Sequence, residues 1–181
     1  MTTTQWNIDA AHSGVAFSIR HMVSKVRGRF TKFNGDVKID DADFTRSTIE
    51  ATIDASSIDT GTAQRDGHLR SPDFFDVEKY PEIKFRSTRI ENVGDDRYRV
   101  VGQLTIRDAT REVVLDVEYG GRGKDPWGNE RIGFLARAAL DRKDFGLAWN
   151  QVLEAGGFLV GDRVDVELEV EGVRAEAARA A

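Results

Sequence analysis

Val164-Asp165-Val166-Glu167-Leu168-Glu169-Val170-Glu171 alternates without a break between aliphatic and acidic side chains. Successive side chains of an extended strand point to opposite faces, so this stretch makes one dry face and one charged face. A helix would scatter the same aliphatic residues around its circumference. The pattern recurs upstream. Val15, Phe17 and Ile19 alternate with Ala16, Ser18 and Arg20, and Gly35, Val37 and Ile39 with Asp36 and Lys38. Ile49, Ala51, Ile53 and Ala55 alternate with Glu50, Thr52 and Asp54, and Ile83 and Phe85 with Lys84 and Arg86. Further faces come from Tyr98, Val100, Gly102, Leu104 and Ile106, then from Val113, Leu115, Val117 and Tyr119. The last before the quoted stretch is Ile132, Phe134, Ala136, Ala138 and Leu140. The sum is about eight strands, each with one wet face, and that is the signature of an antiparallel sheet.

The links agree. Gly94-Asp95-Asp96 and Asp108-Ala109-Thr110 read as hairpin turns, and Gly120 to Gly128 as a longer Gly/Pro turn. Pro72, Pro81 and Pro126 all fall outside the strand cores. Such a sheet either folds into a sandwich or closes into a barrel, and closure removes exposed edges. An eight-stranded barrel holds either packed side chains or one small ligand. The small inward residues Ala51, Ala55, Gly102, Ala136 and Ala138 thin the lining, but they would equally offset bulky neighbours in a filled core. Periodicity alone leaves the two interiors evenly matched.

Two stretches break the alternation. Thr60 to Phe85 carries Arg65, Asp66 and His68, then Phe74-Phe75 between Asp73 and Asp76, then Tyr80-Pro81. Its first part, Thr60 to Arg70, predicts a short helix with Thr60 or Thr62 as N-cap, weakened by Gly67 and ended by Pro72. Asp141 to Gly157 reads as a long loop with Arg142 and Asp144 pinning it. Arg65, Asp66 and His68 have the composition of an acid/base cluster, but no G-x-S-x-G or S-x-x-K accompanies them, so a salt-bridged plug is the preferred reading.

Bulk properties narrow the function classes. The chain has 181 residues, no cysteine and a net charge of -5. Disulfides and thiolate chemistry are excluded, and a dedicated nucleic-acid binder is disfavoured. Lys25, Arg27, Arg29 and Lys32 form a local basic patch, read as solvated charge around a turn. No H-E-x-x-H or H-x-x-x-H spacing joins His12, His21 and His68, so no metal site and no cofactor are expected. No long apolar run is present, so no stable membrane anchor is expected. With no leader-like N-terminus, the cytoplasm is the simplest expected compartment.

The chain resembles the YceI-like family, whose members bind polyisoprenoid chains in a lipocalin-like barrel. The resemblance runs from about Trp6 to Gly172. It rests on an ordered set: Trp6-Asn7-Ile8-Asp9, His12-Ser13, Val15-Ala16-Phe17, His21, Gly28-Arg29-Phe30 and Phe33-Asn34-Gly35. Ser57-Ile58-Asp59-Thr60, Arg65-Asp66-Gly67-His68-Leu69, Asp73-Phe74-Phe75-Asp76 and Tyr80-Pro81-Glu82-Ile83-Lys84-Phe85 follow. Gly102-Gln103-Leu104-Thr105-Ile106 and Arg142-Lys143-Asp144-Phe145-Gly146 complete the set.

The resemblance implies one all-β domain over residues 5–172, with residues 173–181 as a C-terminal tail, frayed helix or disorder. It implies an eight-stranded antiparallel lipocalin-like barrel whose short helix lies in the connection between strands 3 and 4. The bore would carry a long polyisoprenoid lipid of quinone or prenyl pyrophosphate type, without catalysis. Parity assigns Phe17, Ile19, Val37, Ile53, Phe85, Leu104, Leu115, Phe134, Ala136 and Val166 to the lining, with Phe74 and Phe75 as caps. His12, His21, Arg65, Asp66, His68, Arg142 and Asp144 are the expected mouth or latch residues. The rival expectations are an enzyme acting on a prenylated substrate at the mouth, and a packed structural barrel. A homodimer is left open.

Overall fold

The computed structural model describes residues 3–176. The strands are β1 Thr3–Ile8, β2 Gly14–His21, β3 Ser24–Phe30, β4 Phe33–Asp40, β5 Thr48–Asp54 and β6 Ile58–Asp59. After helix α1, Ala63–Arg70, come β7 Glu82–Gly94, β8 Arg97–Ile106, β9 Ala109–Lys124, β10 Glu130–Asp141 and β11 Val160–Arg174. Every pairing is antiparallel. The ring runs β1-β4-β5-β7-β8-β9-β10-β11 and closes where β11 meets β1 again. This is a closed eight-stranded barrel, consistent with a lipocalin-like fold.

The remaining three segments extend this wall at one end. β1 and β2 lie one after the other along β11: Ile8 pairs with Gly172, and Gly14 with Glu169. More residues lie between Ile8 and Gly14 than between their partners, so Asp9 to Ser13 loop outward as a 3-10 turn. The Ser13 hydroxyl accepts from the Glu171 amide at 2.9 Å in place of a strand partner. β3 and β4 likewise follow one another, as do β5 and β6 across a 3-10 turn, Ala55–Ser57. The expected position of the helix is corrected by this segmentation: α1 follows β6, not the third strand. The alternation carries no mark of these breaks, because the inward face continues across them.

Two turns also differ from expectation. The β8–β9 link is a two-residue turn at Arg107-Asp108, with Arg107 at φ 56, because Ile106 already pairs with Ala109. β9 runs through Gly120, Gly121 and Gly123 to Lys124, so the following turn is only Asp125 to Asn129. Of the stretch expected as a tail, Val173 and Arg174 complete β11, and residues 177–181 lie outside the described residues.

The topology separates two ends. One end carries the β2–β3 tip, the connection 60–81, the β8–β9 turn and the connection 142–159. Here Phe30, Ile58, Phe74, Ile83, Phe145 and Leu147 form an apolar floor. At the other end Trp6, Val37, Ile39 and Ile132 are buried together, and Phe44 packs on Tyr98 and Tyr119 with ring centroids 5.4 and 5.3 Å apart. Between the ends, Phe17, Ile53, Leu115 and Val166 stay half-buried although they face inward, whereas a filled core would bury them fully. Among the described residues no helix is long and apolar enough to cross a membrane.

Candidate functional site

The half-burial has a cause. The barrel encloses a cavity of about 430 Å³ whose lining comes from β1 through β11, β6 included. Strand alternation delivers the side chains: each strand sends every second residue inward, and those residues are aliphatic or aromatic. Phe17, Ile19, Val37, Ile53, Phe85, Leu104, Leu115, Phe134, Ala136 and Val166 all line it, as do Phe74 and Phe75. Ala51, Ala136 and Ala138 leave room along the wall. Gly102 does something different. A Cβ there would lie 2.5 Å from Phe85 Cζ, so the glycine lets the Phe85 ring lie flat on β8.

Arg65, Asp66 and His68 do not form one cluster. Thr60 gathers two of them: its hydroxyl donates to Asp66 Oδ1 at 2.5 Å and accepts from Arg65 Nε at 2.7 Å. Its amide also donates to Asp66 Oδ1 at 2.9 Å, and Arg65 Nη2 donates to its carbonyl at 2.7 Å. Asp66 is buried by this and does not line the cavity. His68 turns to Asp73, with Nε2 2.8 Å from Oδ2, and its ring meets Trp149 edge-on at 4.6 Å. The helix N-cap is Thr62, whose side chain makes no capping bond. Thr60, the other candidate cap, instead ties the helix to the wall.

Arg142 holds the second connection. It is 3% exposed and donates to the carbonyls of Gly161 (2.8 Å), Leu147 (2.5 Å) and Trp149 (2.8 Å). Burial pushes its pKa below the ordinary arginine value, and the Asp162 charge opposes that shift. The expected Arg142–Asp144 pair does not form. Asp144 is exposed on the 3-10 turn Arg142–Phe145, and the carboxylate nearest Arg142 is Asp162 at 3.9 Å. His21 and Arg142 line the cavity. His12 does not: it pairs with Asp9 at 2.8 Å on the outer wall, because the Ala10–His12 turn bulges away from the barrel.

Sequence reading missed Arg107. Its Nη1 donates to Phe74 O at 3.2 Å and to Gly146 O at 3.3 Å, tying both long connections to the β8–β9 turn. Only a positive-φ turn aims the side chain there, and nothing in the local sequence announces that conformation. The floor is closed beneath β7 to β9 by these contacts. Beneath β3 it is different. β3 pairs with β6 only through Arg29 and Phe30, so among the described residues the edge from Ser24 to Gly28 has no strand neighbour on that side. Val26, His21, Thr60, Arg65, Leu159 and Val160 line the cavity around this gap. It is the candidate mouth.

The YceI-like domain profile matches residues 6–172. The chain belongs to the YceI-like family. A UPF0312 protein of Vibrio cholerae is 39% identical over 165 residues, spanning 91% of this chain and 83% of the relative. The crystal structure of Burkholderia cenocepacia BcnA superposes with a TM-score of 0.80 at 26% identity, covering 91% of this chain and 98% of that one. A polyisoprenoid-binding domain from Saccharophagus degradans, described as implicated in plant cell wall breakdown, shares the fold. Its TM-score is 0.66 at 16% identity, over 94% of this chain and 98% of that one. In this YceI-like chain no group of three or more His, Cys, Asp or Glu side chains suited to a metal occurs among the described residues.

Proposed function

We propose that the bore takes up the isoprenoid tail of a quinone or prenyl pyrophosphate and holds it, for storage or transport, without chemical change. The observation that carries this reading is the cavity of about 430 Å³ with an almost unbroken apolar lining, from Phe44 at one end to Leu159 and Val160 at the other. Small-molecule sites fall at about 300–1,000 Å³ and are mostly apolar with few polar groups. Three of the polar groups expected to act as a latch have partners within the protein. Arg65 and Asp66 are engaged by Thr60 and His68 by Asp73, an arrangement that suits a latch better than an acid/base pair. The ligand named for the Saccharophagus degradans domain points to the same lipid class.

Tail contact supplies enough affinity. A roughly 40-carbon chain at about 0.3 kcal/mol per atom gives about 12 kcal/mol, equivalent to nanomolar binding. One methylene changes this by only about 0.8 kcal/mol, so such a lining discriminates chain length weakly. Native mass spectrometry of the purified protein, before and after exposure to ubiquinone and to a prenyl pyrophosphate, tests the reading. A lipid adduct of prenyl mass is expected. A chain that is consistently empty and takes up neither compound would sink it.

A further inference from the structure

We propose that the rim of the candidate mouth is a docking surface for an anionic lipid bilayer, from which the tail enters the bore. The inference rests on the tail-binding reading above and adds the partner. Of the large apolar side chains left exposed, four sit on two neighbouring tips: Met22 (48%) and Val23 (95%) on the β2–β3 turn, and Val152 (71%) and Phe158 (62%) on the 151–159 hairpin. The tips are joined. The Met22 amide donates to Leu159 O at 2.9 Å, and Val152 bridges to Phe158 across the hairpin. Leu159 and His21, one residue inward from Phe158 and Met22, line the cavity. The apolar tips therefore stand at the edge of the bore itself, where a protein that meets only water gains nothing from exposing them.

Charge selects the occupant. Arg20 and Lys25 face each other across the hairpin, and Arg27 lies opposite Ser18 on the same outer face. None of the three has an ion-pair partner among the described residues, whereas Arg29, farther from the tip, lies 3.5 Å from Asp59. On the facing side Glu154 is exposed and Asp162 is drawn to Lys143 at 3.2 Å, so the basic edge belongs to the hairpin. Apolar tips flanked by free cations on a chain of net charge -5 fit a bilayer with anionic headgroups, against which the rest of the molecule is repelled. Docking of this kind orients the gap beside β3 toward the lipid and is reversible, since it lacks a spanning segment or a large apolar area.

Flotation of the full chain with vesicles tests this. The protein is expected to float with vesicles of equal parts phosphatidylcholine and phosphatidylglycerol, and to float weakly with phosphatidylcholine alone. Val23→Asp with Phe158→Asp is expected to cut binding about tenfold or more. Lys25→Glu with Arg27→Glu is expected to cut it by about fivefold or more per residue, with the difference lost at high salt. Both pairs are exposed, and unchanged melting curves verify folding. Uptake of ubiquinone from detergent micelles is expected to stay as in the parent, while uptake from vesicles falls. Failure of micelle uptake in the parent chain refutes tail binding, not docking. No flotation of the parent, flotation unaffected by both pairs of substitutions, or a dimer held by the tips that never meets vesicles would overturn the docking proposal.

Discussion

At Gly102 an added Cβ would stand 2.5 Å from Phe85 Cζ and 2.6 Å from Arg86 O. The oxygen belongs to the β7–β8 ladder, where Arg86 pairs with Gln103, so it has little freedom to move. Forcing extra atoms into such a site costs about 1–3 kcal/mol, and Gly102→Val is expected to lose that much in denaturant unfolding. Gly67 gives the contrast. It lies inside α1 with nothing within 4 Å of a built Cβ, so Gly67→Ala is expected to gain up to about 1 kcal/mol. Arg131 is a third residue with a defined effect. It donates to Asp9, Asp125 and Glu171, each at 2.8 Å, and so clamps the β1–β2 break to β10 and β11. Its guanidinium is the main reason that Asp9 and Asp125 are each held at about 2, below the ordinary 3.8. A carboxylate with a depressed folded pKa stabilises the fold above the unfolded value, and that contribution fades as pH falls through the folded one. Stability is therefore expected to fall between about pH 4 and pH 2 in the parent chain. Arg131→Met starts lower at neutral pH and loses less over that interval, as thermal melts at stepped pH would show.

The elements differ in how far their sequences foretold them. Strands such as β11 were legible because alternation and burial are the same fact: Val166 faces the cavity and Glu167 faces water. The lining was legible for that reason too. What alternation cannot report is interruption. The Ala10–His12 turn exists because Asp9 caps it locally and Ser13 bonds Glu171, and that second contact crosses a large sequence separation. The same blindness put His12 at the mouth, although it sits on the outer wall. Arg142 shows the converse, a residue expected to pin its loop together with Asp144 that holds it through other groups. A short-range carboxylate, Asp144, was the natural guess, whereas the guanidinium is held by carbonyls that only the folded connection brings round it. Arg142→Lys is consequently not conservative, since one ammonium cannot serve carbonyls spread over Leu147, Trp149 and Gly161. Leaving such buried groups unpaired costs about 1–3 kcal/mol each. Faster hydrogen exchange and proteolysis between residues 147 and 160, with β7 to β9 unchanged, is the expected outcome for both Arg142→Lys and Arg142→Met.

For the whole molecule the decisive property is that the barrel is hollow, and hollowness makes stability and binding respond in opposite senses. Ala138 lies on β10 opposite Val166 and lines the cavity. In Ala138→Phe the ring extends into existing space, so the empty protein is expected to become more stable by about 0.5–2 kcal/mol, the usual gain from filling a cavity. The same ring occupies volume that a tail would need. Displacing about five tail atoms at about 0.3 kcal/mol each costs about 1.5 kcal/mol, so affinity for a prenyl ligand is expected to fall about tenfold. A filled core would behave otherwise. There the substitution would overpack, destabilise by about 1–3 kcal/mol and leave surface binding untouched. Denaturant unfolding and ligand titration on the one variant thus separate the alternatives. A gain in stability with a loss of uptake places the tail in the bore. A loss of stability with uptake unchanged would place it elsewhere.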